Sequence, residues 1–476
     1  MNQHPPAQVL DGRAIAPDPG PATHPTPALT TAIIEQVREF AIDTLPTDVV
    51  TAAKHSLLDW LGVTFSGSRE PITHILLAQA SADGGREECS IIGHPGKINA
   101  AQACLVHGAA SHSQDYDDVL EMMQGHPSAT VAPVVFALAE REHRGGADLL
   151  AAFVAGVQAA GALGALVEPE HSRQGWHPTA TLGTFGATAA ACHLLGLDRD
   201  MWNRAFGLAA TQAGGLQRMA GTMGKPFHAG KAAMQGYFAA SLAARGMTAA
   251  LDVIESPRGF LDVTTPGAPR DRTPLPPTRF AIRDVLFKMH AACYLTHSAI
   301  EGVLELARAH ELSPGDVERI DVQVLPVHQT TCPISTARTG LEAKFSIEYA
   351  AAIALVEGCA GGAQFTDEVV RQPHVRELAA RVVRHDGDWP RSQMATPVRI
   401  TLRDGRQLDT VVDTGAPARG EDVGRQWHRL VAKFTDLATP VVGASAARAI
   451  VGIVERLDEV EELGQLTELV SGPRAD

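Results

Sequence analysis

Apolar residues recur at helical spacing through most of the first 250 positions. Ile33, Ile34, Val37 and Phe40 predict a first helix with Thr30 or Thr31 as its cap; Val50, Ala53, Leu57 and Leu61 predict a second over about 48–63. Two later helices are crowded with small residues: Ala100, Ala101, Ala103, Gly108, Ala109 and Ala110 in one, Gly183, Gly186, Ala187, Ala189, Ala190 and Ala191 in the other. Side chains this small let helix backbones approach closely. The pattern changes near 265, where the Pro-rich stretch 265–276 predicts a linker. Ile320–Val324 then alternates polar and apolar residues, and Pro397–Thr401 and Leu408–Val412 flank Asp404-Gly405, a hairpin signal. Helices are expected between them at about 294–308 and 346–357, and helical spacing returns over 420–470, with Leu430 and Phe434 in one helix and Ile450 and Val454 in the next. The order helix, α+β, helix predicts a mainly α fold with an α+β second domain. Segments 30–270 and 415–470 form the helical domain, and 278–413 is inserted as a separate α+β body. Residues 1–29, rich in proline and lacking apolar periodicity, are expected to be a disordered, dispensable leader.

Charge and cysteine usage narrow the function classes. With 40 Lys+Arg against 54 Asp+Glu the net charge is −14, which argues against a general nucleic-acid binder. The 6 cysteines form no CxxC pair, so neither a zinc ribbon nor a ferredoxin-type cluster is expected; scattered thiols fit a reducing compartment. No basic segment followed by an apolar run marks a secretory signal, and the long Ala-rich runs are read as interrupted before the length of a membrane span. The expectation is a soluble, cytoplasmic protein that binds neither nucleic acid nor membrane.

Phosphate-loop, dinucleotide-fingerprint and zinc-protease signatures are absent. Polar groups instead cluster at the ends of small-residue helices. Ser111-His112-Ser113-Gln114-Asp115-Tyr116-Asp117-Asp118 precedes Gly125-His126-Pro127, where a carboxylate could orient a histidine for proton transfer. Gly175-Trp176-His177-Pro178-Thr179-Ala180-Thr181 opens an Ala/Gly helix that Thr179 or Thr181 could cap. Gly224-Lys225-Pro226-Phe227-His228-Ala229-Gly230-Lys231 reads as a Gly-rich loop at a helix start, suited to a carboxylate or phosphate. Lys288-Met289-His290-Ala291-Ala292-Cys293-Tyr294-Leu295-Thr296-His297 opens the α+β segment; Cys293 reads as a buried small side chain with nothing local to lower its pKa.

Taken together, the strings SHSQDYDDV…GHPSA, GWHPTATLGTFGA, GKPFHAGKAA and KMHAACYLTHSAIEG, with SLLDWLG at 56–62 and AKFS at 343–346, resemble the MmgE/PrpD family. That family includes 2-methylcitrate dehydratase, cis-aconitate decarboxylase and an iminodisuccinate epimerase. The resemblance implies a helical domain built from both chain ends, an inserted α+β lid, a cleft between them and a homodimer. It places Asp115, His126, His177 and Lys225 at the catalytic positions, with His228, Cys293 and His297 as substrate-binding candidates. This chain departs from the decarboxylase-like members at Cys293, where some carry His, and between Asp118 and His126, where it lacks a second His. Both departures weigh against cis-aconitate as the specific substrate.

The resulting expectation is a lyase that needs no cofactor or metal and acts on a small di- or tricarboxylate. His126 and His177 would serve in proton transfer and binding, with Asp115 orienting a histidine. Lys225 would clamp a carboxylate or donate a proton. An epimerase or racemase of an amino-dicarboxylate shares the first step and is the alternative. A non-catalytic binding protein would leave these residues on scattered surface loops. A metal-dependent hydrolase would need residues such as His107, His112, His126 and His177 to converge on one point.

Overall fold

A computed structural model describes residues 28–269, 272–387, 392 and 394–472. The expected leader therefore lies outside the described residues, except at its end. Leu29 is buried and opens the first helix, α1 (Leu29–Val37). That helix stops before Phe40 and has no threonine cap; Thr30 lies inside it and bonds the Glu255 carboxylate instead.

The N-terminal part is a helical body: α2 (Thr47–Gly67), α3 (Pro71–Asp83), α4 (Ala100–His112), α5 (Ser128–Arg141), α6 (Gly146–Val167), α7 (Pro178–Leu194), α8 (Arg199–Ala210) and α9 (Gly224–Ala244). Small residues explain its tightness. A Cβ added at Gly108 of α4 would stand 2.7 Å from the Cα of Gly230 in α9, so these helices meet backbone to backbone. α6 corrects one expectation. It is long and apolar enough to cross a membrane, with 94% of its apolar window buried against neighbouring helices, and so serves as a core helix of this fold. The later helix Asp422–Glu455 meets the same length and composition test with 28% of its window buried.

Between α4 and α5 the chain forms β1 (Val119–Leu120), which pairs antiparallel with β2 (Val285–Leu286) beyond the last of these helices, a two-residue ladder across 165 positions of sequence: Leu120 lies opposite Val285. A second body follows, with α10 (His297–His310) and α11 (Ile347–Glu357) packed on a four-stranded sheet. Its strands are β3 (Val317–Val324), β4 (Val382–Asp386), β5 (Ala395–Leu402) and β6 (Gln407–Asp413), in the order β4-β3-β5-β6. β3 and β4 run parallel; β5 is antiparallel to β3 and to β6, and Asp404-Gly405 forms the turn of the last hairpin.

The chain then enters α12 (Asp422–Glu455), which is broken at Gly443, where φ is +82°. Leu430, Phe434 and Ala438 before the break, and Ala447, Ile450 and Val454 after it, join the core of the N-terminal helices. The second body has its own core around Ile300, Ile320, Ile353 and Ile400. The fold is mainly α with a smaller α+β part.

Candidate active site

Asp115 sits just past the end of α4 in left-handed backbone, φ +54°, a conformation Asp tolerates better than most side chains. Lys225 lies in the first turn of α9 rather than in a loop, and its Nζ donates to Asp115 Oδ1 at 2.7 Å. Lys288, from the segment after β2, is almost fully buried. Its Nζ donates to the Asp115 carbonyl at 2.7 Å and meets Oδ1 at 2.9 Å. Burial alone would raise the Asp115 pKa; the Lys225 and Lys288 ammoniums overcome it and hold the carboxyl well below its usual range. Burial would likewise discharge Lys225, but Asp115 keeps it protonated with a raised pKa.

The carboxylate that orients histidines is Asp117, not Asp115. His112 Nδ1 lies 2.9 Å from Asp117 Oδ2 and 3.0 Å from Oδ1, and both residues are buried. Burial lowers the His112 pKa to about 4, so the ring is neutral, Nδ1–H donates to Asp117, and Nε2 is left a buried base without a protein partner. Asp117 stays ionised because His112 and His126 outweigh its burial. His126 Nδ1 donates to the Asp118 carbonyl at 2.8 Å and lies 3.3 Å from Asp117 Oδ2, which leaves Nε2 3.8 Å from Asp115 Oδ1. Asp118 stands behind this pair, its pKa pushed up by burial against hydrogen bonds from Ser128.

His177 is the residue before α7; Thr179 and Thr181 do not cap that helix. Thr179 Oγ1 instead accepts from the His126 backbone N–H at 3.2 Å, tying the second sequence group to the first. His177 Nδ1 is 3.1 Å from His228 Nδ1, and its ring stacks on His112 with centroids 6.1 Å apart. Burial holds His177 well below the ordinary histidine pKa, with Lys225 adding to the effect. The structure therefore brings Asp115, His126, His177, Lys225 and His228 into one connected cluster.

The second body closes the cluster. Lys344 donates to the Gln114 carbonyl, and burial lowers its pKa to about 8. The Phe345 ring lies 6.0 Å from Lys225 Nζ. Cys293 is buried near Asp115 and Lys288; no sequence neighbour lowers its pKa decisively, but a thiol distant in the chain does. A hydrogen bond from the Cys332 thiol holds it below the ordinary value, against the effect of burial. His297 falls to one side. Its rings of contact are Tyr294 and His290, and it lines a groove of about 850 Å³ with Glu301 and Arg429.

Sequence reasoning gave no role to Asp117, Lys288, Lys344 or Cys332 and named His112 only as a metal ligand, although all but Cys332 stand within the quoted strings. Among the described residues, donor atoms of His112, Asp115, Asp117 and His126 lie within 4.8 Å of one another, spacing that could hold a metal ion. His107 is not among them; it sits in the core against Trp60 and Phe136. Two ammoniums on Asp115 Oδ1 already supply the cationic charge that such an ion would bring.

A buried base oriented by one carboxylate, close to a second carboxylate gripped by two lysines, is the equipment of an acid–base enzyme acting on an anion. The MmgE/PrpD N-terminal domain model matches residues 31–273 and the C-terminal domain model residues 290–459, so the chain belongs to the MmgE/PrpD family. The cis-aconitate decarboxylase of Mus musculus is 28% identical over 468 residues, covering 94% of each chain. That of Homo sapiens is 27% identical over 470 residues, covering 94% of this chain and 95% of the relative. The cis-aconitate decarboxylase of Aspergillus terreus strain NIH 2624 is 27% identical over 481 residues, covering 94% and 96%. The chain is an enzyme of this family's lyase type.

Proposed function

We propose that the protein is a cofactor-independent lyase that removes water or carbon dioxide from a small di- or tricarboxylate by moving a proton at a carbon next to a carboxylate. The observation that carries this is the meeting of Lys225 and Lys288 on one oxygen of Asp115, 2.7 and 2.9 Å away, beside histidines held by Asp117. A substrate carboxylate shares those ammoniums with Asp115, and Lys344 adds a third. His112 Nε2 and His126 Nε2 supply bases for the carbon proton, and His177 with His228 binds the remaining polar groups. Charge building on the substrate is stabilised by ammoniums already in place, which costs no reorganisation during the step.

The chain works as a homodimer in a reducing, cytoplasmic setting. Exposed Leu216, Met219, Met223 and Phe227 beside Lys225 support a second copy covering this face, and the free cysteines support the compartment. Sedimentation of the purified protein tests the dimer.

The activity test is incubation with citrate, 2-methylcitrate, cis-aconitate and iminodisuccinate. Ultraviolet absorbance, carbon dioxide release and deuterium uptake from solvent are followed in parallel. A gained or lost conjugated alkene, or released carbon dioxide, supports the lyase. Deuterium uptake with neither overturns it in favour of an epimerase.

A further inference from the structure

The ladder between β1 and β2 pairs Val119 with Leu286 and then ends. Beyond it the two strands carry the residues of the site: Asp115-Tyr116-Asp117 on one side and Lys288-Met289 on the other. Their carbonyls at Tyr116 and Lys288 no longer receive a partner from the opposite strand. A single group fills the gap. Lys433, on the first half of α12, places its Nζ 2.8 Å from the Tyr116 carbonyl, 2.8 Å from the Lys288 carbonyl and 2.7 Å from Asp59 Oδ1. Its three donors are thereby all used. The same Nζ lies 3.9 Å from the centroid of the Tyr116 ring, while Tyr116 Oη donates to the Met289 carbonyl at 3.1 Å.

We infer that Lys433 is a positioning residue of the active site, an ammonium that takes the place of the missing ladder bonds and fixes Asp115 and Lys288 relative to each other. It touches neither the carboxylate of Asp115 nor the ammonium of Lys288. It grips the backbone one residue past Asp115 and the backbone of Lys288 itself. Lys288 Nζ then closes the loop on the Asp115 carbonyl and carboxylate. Asp59 is the counter-ion that makes a buried ammonium tolerable here: the Lys433 and Asp59 side chains are 5% and 1% exposed. This gives a purpose to the Asp in the SLLDWLG string, which contributes nothing directly to the cluster around Asp115.

The inference takes the location of the site from the proposed function but does not depend on which carboxylate is the substrate. The test uses Lys433→Met, Asp59→Asn and the double variant in the full chain. Lys433→Met alone leaves Asp59 buried without its partner and is expected to melt well below the parent. The double variant removes both charges and is expected to recover most of that melting temperature. If Lys433 positions the site, the double variant still loses turnover by about 10- to 100-fold, more in kcat than in KM, because sub-ångström misplacement of fixed groups lowers rate before it lowers affinity. A crystal structure of the double variant is expected to show Lys288 Nζ out of hydrogen-bond reach of the Asp115 carbonyl. Recovery of kcat together with melting temperature, or an unchanged Lys288–Asp115 contact, would overturn the inference and leave Lys433 a purely structural ion pair. If the parent turns over none of the carboxylates, the proposed substrate class fails, and the crystallographic contact alone decides the role of Lys433.

Discussion

His112 and Asp117 form a buried donor–acceptor pair, Nδ1 to Oδ2 at 2.9 Å, which presents the opposite ring nitrogen as a free base. An asparagine at 117 can offer its N–H to Nδ1 and reverse the tautomer, so that Nε2 carries a proton and can no longer accept one. Asp117→Asn is therefore expected to lower kcat by on the order of 10²–10⁴, with little loss of folded protein because the shape is kept. Steady-state kinetics beside thermal melts check this; turnover within a few-fold of the parent would remove His112 from the base role.

Lys225→Ala should lower turnover by about 10²–10⁴ as the group that meets developing charge is lost. Lys288 still faces Asp115 Oδ1, so the carboxylate is not stranded and the melting temperature should fall only modestly. Lys225→Arg keeps the charge but not the point geometry, and is expected to restore substrate affinity better than kcat. Equal kcat in the parent and Lys225→Ala would sink the assignment.

The pH profile has two limbs. His112 remains a free base until the pH falls through about 4, and Lys344 remains an ammonium until the pH rises through about 8. Activity should form a plateau between them, and Lys344→Met should lower the plateau and abolish the limb near 8. Stability follows its own rule. His55, His112 and His171 near pKa 4, and His107 near 3, are kept neutral by burial, whereas the unfolded chain takes up protons below about 6.5. Folding stability should thus fall as pH drops from about 6.5 toward 4. A melting temperature that is flat across that window would contradict the neutral assignments.

Gly108→Ala tests how the helices set the site. The added Cβ would stand 2.7 Å from Gly230 Cα, 2.9 Å from Gly230 N and 3.0 Å from the Ala129 carbonyl, with no flexible atom to yield. Overpacking of this kind costs about 1–3 kcal/mol. The displacement also carries α4, which leads into Asp115, away from α9, which begins beside Lys225. Activity is expected to fall further than stability does, measured as residual kcat at a temperature where the variant is fully folded.

The sequence pattern makes the small-residue helices, the final β-hairpin and the helical return after 420 legible, because each follows a local period. Asp115, His126, His177 and Lys225 stand out as polar residues at the ends of small-residue helices. Roles are harder to read than positions. Asp115 and Asp117 are two residues apart, and only the fold shows that one faces lysines while the other faces histidines. Lys288 and Lys344 look like solvated cations in a one-dimensional reading; their burial depends on meeting Asp115 and the Gln114 carbonyl, respectively, across more than 170 positions of chain. Lys433 did leave a trace. It falls between Leu430 and Phe434 on the apolar stripe of its helix, where a lysine must either snorkel or find a buried partner.

The bond from α12 to the active-site backbone also imposes an order on the birth of the protein. Asp59, Tyr116 and Lys288 are synthesised long before residue 433, and earlier parts of a chain begin to fold while the ribosome is still adding later ones. Until Lys433 arrives, a buried carboxylate and two backbone acceptors lack their donor. A nascent helical body can collapse but cannot set its active site. Completion of the catalytic geometry is therefore a late, long-range event, gated by a helix that carries none of the proposed acid–base groups.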